Sequence, residues 1–153
     1  MQNSSKSFDD ELHCMTLSDD GSYTAFSKEY DEHYHSTKDG ALHESLIKHV
    51  IPAFKLQKDK DEITILDICF GLGFNTLATL FYAKENFPHA KINIYSPELD
   101  EDLVNSLDDF IYPKEFVVLT IIISSLIKDG VYDNEVWHVE LFLGDASKYR
   151  KQF

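Results

Sequence analysis

The feature that most constrains the fold is residues 63–77, which predict a buried strand, a glycine turn and the start of a helix. The strand part is rich in apolar and β-branched residues, as in a parallel strand buried on both faces. Gly71 and Gly73 follow, and a helical pattern begins at Phe74. A Gly-x-Gly in this setting is typical of a nucleotide-type site. We expect Gly71 to adopt unusual backbone angles and Gly73 to let a ligand approach the main chain, while the free N–H groups of the helix start bind a carboxylate or phosphate.

Two residues favour S-adenosylmethionine over a dinucleotide as the ligand. Thr76 stands where a dinucleotide site has its third glycine, and Asp67 lies just before the turn. A carboxylate there can receive the amino group of an amino-acid moiety, whereas it would repel a pyrophosphate. The alternative is that Asp67 is an ordinary polar residue at a strand end, followed by an ordinary turn.

Two further acidic residues follow predicted strands. Residues 91–96 alternate like a strand, and Glu98 comes about 25 residues after Gly73, near the position of a ribose-binding acid. The strand predicted over Trp137–Leu143 leads to Asp145, which we expect to accept from the adenine amino group. The alternatives are a carboxylate favoured by the helix dipole at position 98 and an N-cap at position 145.

The remaining elements are predicted from turn residues and periodicity. A loose arm spans residues 1–21 and includes a strand at 12–17, which forms a hairpin with a strand at 23–26. Several helices are also predicted. The first stops before Pro52, and the stretch from Pro113 is rich in β-branched residues but long enough to favour a helix. The predicted helices are residues 41–50, 100–110 and 113–128, with a last one starting at Ala146.

Neither the histidines nor the cysteines predict a metal site. His33, His35 and His43 lie near Asp31 and Glu44, but no His-x-x-x-His pair or cysteine partner accompanies them. We interpret them as surface and pocket-rim histidines. The only cysteines, Cys14 and Cys69, are far apart in sequence and predict no disulfide framework.

Charge and hydropathy narrow the classes of function. The net charge of −13 argues against a nucleic-acid surface spread over the chain. The most apolar window, residues 116–127, is too short to span a bilayer. The N-terminus is polar and acidic, unlike a signal peptide. We therefore expect a cytoplasmic protein without a membrane segment.

Four segments together resemble the methyltransferase part of MnmC-type tRNA-modification enzymes. The resemblance runs from Ser27 to Asp145, most of the chain, and the combination is more specific than any one motif. The segments are S-K-E-Y-D-E-H-Y-H-S at 27–36, G-A-L-H-E-S at 40–45, L-D-I-C-F-G-L-G-F-N at 66–75 and L-F-L-G-D-A at 141–146.

The resemblance implies a Rossmann-like α/β fold and an S-adenosylmethionine-dependent reaction. The family methylates 5-aminomethyl-2-thiouridine at the tRNA wobble position to its 5-methylaminomethyl form. By motif, Glu98 would bind the ribose and Asp145 the adenine, while Tyr34 and Glu44 match a segment near the site. The methionine side would be bound by Asp67, Gly71, Gly73 and Asn75.

The chain departs from the family pattern in the turn and at its end. Leu72 and Phe74 replace other turn residues, and nothing matches the family's D-G-F-A-P-like strand end, whose Asp is expected to act on the substrate amine. We therefore expect residues 1–60 to form a hairpin and helix extension and residues 61–153 the first half of the domain, incomplete at its C-terminus. The catalytic residues and most tRNA contacts would lie beyond Phe153, so the chain alone is expected to be inactive.

Two other classes of function stay open. The first is a non-catalytic nucleotide-binding or protein-interaction module, with self-association through residues 116–127. The second is a small-molecule methyltransferase or NAD enzyme on the same fold, because a fold does not fix a function. Thr76 makes NAD the less favoured of these cofactors.

Overall fold

The computed structural model describes residues 13–149, and its N-terminal part is a small antiparallel sheet of three strands. Its first two strands pair in the register Cys14–Phe26, which confirms the predicted hairpin. The part of the predicted strand before His13 lies outside the described residues. The third strand was not predicted, since it is only two residues long. The strands are β1 (His13–Leu17), β2 (Tyr23–Ser27) and β3 (Glu32–His33).

A helical segment then connects the two sheets. It consists of α1 (Ala41–Glu44), a π-helical stretch (Ser45–Val50) and α2 (Ile51–Lys55). The predicted stop before Pro52 is wrong, because the helical path continues past the proline. Pro52 lies in the first turn of α2, directly after the wider π turn. Proline is tolerated in a first turn, where its missing N–H costs no hydrogen bond.

The second sheet is mixed and carries the Rossmann-like part of the chain. Three parallel strands, β4 (Glu62–Leu66), β5 (Lys91–Glu98) and β7 (Trp137–Leu143), stand in the order β4-β5-β7. They confirm the three predicted strands. A short strand, β6 (Val131–Asp133), pairs antiparallel with β7 at the edge of this sheet. It was not predicted, because three residues are too few to show a period. The fold is therefore mixed α/β.

The helices that connect these strands share one core with the sheet. Ile92, Ile94 and Val139 are fully buried, and they belong to the same cluster as buried residues of α3 and α5. Parallel strands need such crossover helices, which pack back on the sheet they connect. The helices are α3 (Phe74–Asn86), α4 (Glu101–Ser106) and α5 (Thr120–Asp129).

The stretch from Pro113 is helical, as predicted, but it is not covered all round. It begins as a 3₁₀ helix (Lys114–Leu119) and continues as α5. Phe116, Ile122 and Leu126 are buried in the core. The outward residues Val117, Val118 and Ile121 are more than 60% exposed. One side of this apolar helix is therefore open in the structure.

No single helix among residues 13–149 is long and apolar enough to cross a membrane. The helical segments Glu101–Asp109 and Lys114–Asp129 are long and apolar enough only when they are taken together, and a bend of 111° separates them.

Candidate functional site

A cavity of about 910 Å³ lies beside the glycine turn, between the N-terminal segment and the end of β5. The N-terminal segment contributes side chains from the stretch after β2 and from α1, and the turn contributes its backbone. Five of the eight residues predicted for the site line this cavity, although they come from four separate stretches of sequence. These are Tyr34, Glu44, Gly71, Asn75 and Glu98.

The glycine turn is held in its shape by Glu98. One carboxylate oxygen of Glu98 accepts from the Gly71 N–H at 2.7 Å, and the other accepts from the Asp100 N–H at 2.9 Å. The side chain is buried, yet it lines the cavity. Each carboxylate oxygen has a second lone pair, so hydroxyl groups of a ligand can still donate to it.

Two residues of the turn have left-handed backbone angles. Gly71 has φ 57°, as expected, and the non-glycine residue Cys69 has φ 67°. A Cβ at Gly71 would lie 3.5 Å from the Tyr34 ring, which packs over the turn. Burial raises the pKa of the Tyr34 phenol, and the charges of Asp100 and Glu98 raise it further. Tyr34 is therefore a neutral hydroxyl group at physiological pH.

Gly73 lies behind the turn, outside the set of residues that line the cavity. It has φ 81°, and a Cβ there would come within 2.8 Å of the Phe70 ring and 3.1 Å of Ile123. The space that we expected a ligand to use is filled by these side chains. The structure therefore explains Gly73 by packing, and its contact with a ligand stays a prediction.

Asp67 also lies behind the turn. Its carboxylate accepts from the Thr76 hydroxyl at 3.0 Å and faces the Asn75 amide at 3.5 Å. Burial raises the pKa of Asp67 to about 6, with a smaller contribution from the charge of Glu98. Asp67 does not line the cavity, so its contact with a ligand amino group stays a prediction.

Asp145 follows β7, as predicted, but it is not among the residues that line this cavity. Its side chain accepts from the Ser147 N–H at 2.8 Å and caps the 3₁₀ turn Ala146–Lys148. This is the capping role that the sequence left open. The role of Asp145 toward adenine stays a prediction.

His35 lies in the cavity wall, although no feature of the sequence separates it from the other histidines. Its Nδ1 lies 3.3 Å from Glu44 Oε2, which also accepts from the Ser36 N–H at 2.9 Å. Burial lowers the pKa of His35 against the opposing effect of Glu44. Burial would raise the pKa of Glu44, but the Ser36 N–H, the neighbouring His35 ring and the charge of Lys48 outweigh it and lower that pKa. Glu44 is thus an anion bound to a neutral imidazole.

The cavity is strongly acidic. Among the described residues that line it there are seven carboxylates and no lysine or arginine. Such a lining raises the local concentration of cations and lowers that of phosphates. No group of three histidine, cysteine or carboxylate side chains within residues 13–149 is arranged to hold a metal ion. The carboxylates are Glu29, Glu32, Glu44, Glu98, Asp100, Glu101 and Asp102.

One of the comparisons with known proteins, the match to a solved structure, supports the resemblance found in the sequence. No family model matches the chain. The crystal structure of MNMC2 from Aquifex aeolicus matches with a TM-score of 0.77 and 31% identity, over 92% of this chain and 45% of that one. The uncharacterized protein MJ0670 of Methanocaldococcus jannaschii is 29% identical over 150 residues, which are 91% of this chain and 38% of that protein. The chain spans less than half the length of both, and the structural match supports an MnmC-like protein.

Proposed function

We propose that this chain is the cofactor-binding part of an S-adenosylmethionine-dependent methyltransferase that acts on the aminomethyl group of wobble uridine in tRNA. The observation that carries the proposal is the structural match to MNMC2, which covers nearly the whole chain. The cavity beside the glycine turn supports it independently, because Tyr34, Gly71 and Glu98 come together there.

The residues of the cavity fit the parts of this cofactor. The ribose hydroxyls would donate to Glu98, whose oxygens keep lone pairs free on the cavity side. Gly71 and Asn75 would bind the methionine side, with Tyr34 closing the site from the N-terminal segment. Asp67 and Gly73 would act from behind by fixing the turn.

The charge of the cavity favours the same ligand. S-adenosylmethionine supplies a methyl group on a positively charged sulfur, and a lining that has seven carboxylates and, among the described residues, no lysine or arginine attracts such a ligand. Asp145 would approach the adenine from the end of β7. We assign the N-terminal residues 1–60 to an extension and residues 61–153 to the first half of the methyltransferase domain.

The acidic cavity also bears on where tRNA would bind. Phosphates bind lysine and arginine side chains, and the cavity lining of the described residues has neither. We therefore assign the tRNA phosphate contacts and the group that removes a proton from the acceptor amine to the part of the longer relatives that this chain does not span.

Calorimetric titration with S-adenosylmethionine tests the cofactor assignment. We expect saturable binding, weakened about tenfold or more by Glu98→Ala and more modestly by Asp145→Ala. Glu85→Ala, an exposed acidic residue of α3 away from the cavity, is the control and should bind as the wild type does. NAD should bind much more weakly. A folded chain, as judged by circular dichroism, that binds no S-adenosylmethionine would refute the proposal.

A methylation assay tests the assignment of the remaining machinery. The chain alone, given tRNA that carries 5-aminomethyl-2-thiouridine, is expected to transfer no methyl group. Turnover by the chain alone would show that its own residues complete the active site. It would refute only the assignment of the remaining catalytic groups to the part that this chain does not span.

A second function is favoured by the exposed apolar surface of the helix. Val117, Val118 and Ile121 lie together on the outer side of residues 114–129 and are each more than 60% exposed. Such a patch suits an interaction module that self-associates. Sedimentation over a range of concentrations tests this: a strict monomer would count against it.

A further inference from the structure

His35 is fixed on several sides within the cavity wall. Glu44 holds its Nδ1, and the Phe74 ring packs edge-on against the imidazole at a centroid distance of 5.3 Å. Its backbone N–H donates to the Thr24 hydroxyl at 3.2 Å. Groups from α1 and α3 thus hold the imidazole, and a group from β2 holds its backbone, so the orientation of the ring is set before any ligand enters.

The other ring nitrogen of His35 is available to a ligand. Within residues 13–149 the Nε2 atom has no hydrogen-bond partner, it is not a fully enclosed atom, and the ring lines the cavity. The two other histidines of the lining, His33 and His49, form no comparable pair with a carboxylate in the described part of the chain.

Glu44 determines which nitrogen carries the proton. Its ionised carboxylate can only accept, so Nδ1 must donate, and in the neutral ring Nε2 is then a bare acceptor. Glu44 stays ionised because the Ser36 N–H and Lys48 Nζ, at 3.4 Å, also donate to it. Burial keeps the ring neutral, and the nearby His49 favours the neutral form further.

We propose that His35 Nε2, oriented by Glu44, is a hydrogen-bond acceptor subsite for an amine N–H. The proposal deepens the function proposed above and rests on it. An acceptor with no proton selects a donor, and the surrounding carboxylates concentrate amines, which are cationic in solution. Under the proposed function, two amines are candidates for this subsite: the aminomethyl group of the nucleoside and the amino group of the cofactor. The experiment distinguishes them.

The test compares ligand binding to three variants. His35→Phe keeps an aromatic ring against Phe74 but removes both nitrogens. Glu44→Gln keeps the size of the side chain but frees the tautomer. His89→Phe makes the same substitution at an exposed histidine outside the cavity lining and serves as the control. The probes are 5-aminomethyl-2-thiouridine, the matched nucleoside 2-thiouridine, and S-adenosylmethionine.

We expect His35→Phe to bind one amine ligand about tenfold more weakly and to bind 2-thiouridine as the wild type does. The His89→Phe control should bind all three probes as the wild type does. Loss confined to the aminomethyl nucleoside assigns the subsite to the methyl acceptor, and loss confined to S-adenosylmethionine assigns it to the cofactor. Equal binding of all three probes by wild type and His35→Phe would overturn the subsite while leaving the proposed function intact. If the wild-type chain binds the aminomethyl nucleoside but no S-adenosylmethionine, the proposed cofactor function is refuted, while the amine subsite at His35 is not.

Nitrogen-15 spectra of the imidazoles give a readout that a merely structural role would not move. We expect the Nδ1–H tautomer for His35 in the free wild-type chain and a mixture of tautomers in Glu44→Gln. The Nε2 resonance should shift when the amine ligand is added. A His35 that carries its proton on Nε2 would refute the proposal even in a chain that binds all the ligands.

Discussion

The two faces of the mixed sheet are built from alternate residues of the same strands, yet they differ in chemistry. One face carries Ile63, Ile92, Ile94 and Val139, all buried against the helices. The opposite face is partly open and mixes polar with apolar side chains. Its residues include Thr64, Leu66, Asn93, Tyr95, His138 and Glu140.

The open face is organised by its own side chains. Asn93 donates to Glu62 at 3.0 Å, His138 lies between Asp133 and Glu140, and Tyr149 donates to Glu140 at 3.4 Å. A parallel sheet is normally covered on both faces. Within residues 13–149, polar side chains of the open face instead bond to one another, which satisfies part of that face without a covering helix.

We expect the largest difference in stability between alanine substitutions at two neighbouring residues of β5, one on each face of the sheet. Ile94→Ala removes fully buried atoms from the core and should lower the free energy of unfolding by about 2–5 kcal/mol. Tyr95→Ala, one position along on the open face, should cost about 1 kcal/mol or less. Urea titration of both variants measures the difference. Equal losses would mean that the open face is covered in solution.

The pH dependence of stability tests the buried environment of Asp67, which follows β4. The folded chain keeps the Asp67 proton up to a pKa of about 6, whereas the unfolded chain loses it near the ordinary value of 3.8. The folded state therefore binds more protons in this window, and this residue makes stability fall as pH rises from about 4 to 6.

Asp67→Asn removes this effect while keeping a polar side chain beside Thr76. The variant should match the wild type below about pH 4 and exceed its stability by roughly 2–3 kcal/mol above about pH 6. Denaturant midpoints at several pH values measure this difference. A gap that stays constant from pH 4 to pH 7 would contradict the buried, proton-holding environment of Asp67.

The sequence predicted the elements whose pattern is long or bounded by strong turn residues. The strands at Glu62–Leu66 and Trp137–Leu143 and the helix Phe74–Asn86 were found because alternation and the glycine turn mark them. The strands Glu32–His33 and Val131–Asp133 were missed, since each exists only through its partner strand.

The site was predictable only in part, for a similar reason. Glu98 and Gly71 follow from their place after strands, because the carboxyl ends of parallel strands meet at one edge. The pairing of His35 with Glu44 joins two stretches that the folded N-terminal segment brings together. A helix dipole or a strand period does not contain that information, and neither does the spacing of the histidines.

Gly73 and Gly21 form a matched pair that separates packing from backbone strain. Both have positive φ, 81° and 83°, but a Cβ at Gly73 meets the Phe70 ring at 2.8 Å while one at Gly21 meets nothing within 4 Å. Gly73→Ala should therefore lose about 1–3 kcal/mol more than Gly21→Ala. Thermal unfolding of both variants measures this. Equal losses would show that backbone strain alone decides, and that space for a ligand exists behind the turn after all.

The smallest effect on stability is expected on the outer side of α5. Ile121→Lys replaces a residue that is 62% exposed, so the free energy of unfolding should change by less than about 0.5 kcal/mol. If the Val117, Val118 and Ile121 patch mediates self-association, the same variant should dissociate in sedimentation experiments. Leu66→Lys on the open sheet face, 47% exposed, is the matched comparison. If only Leu66→Lys causes dissociation, the association surface lies on the open face of the sheet and not on the outer side of α5.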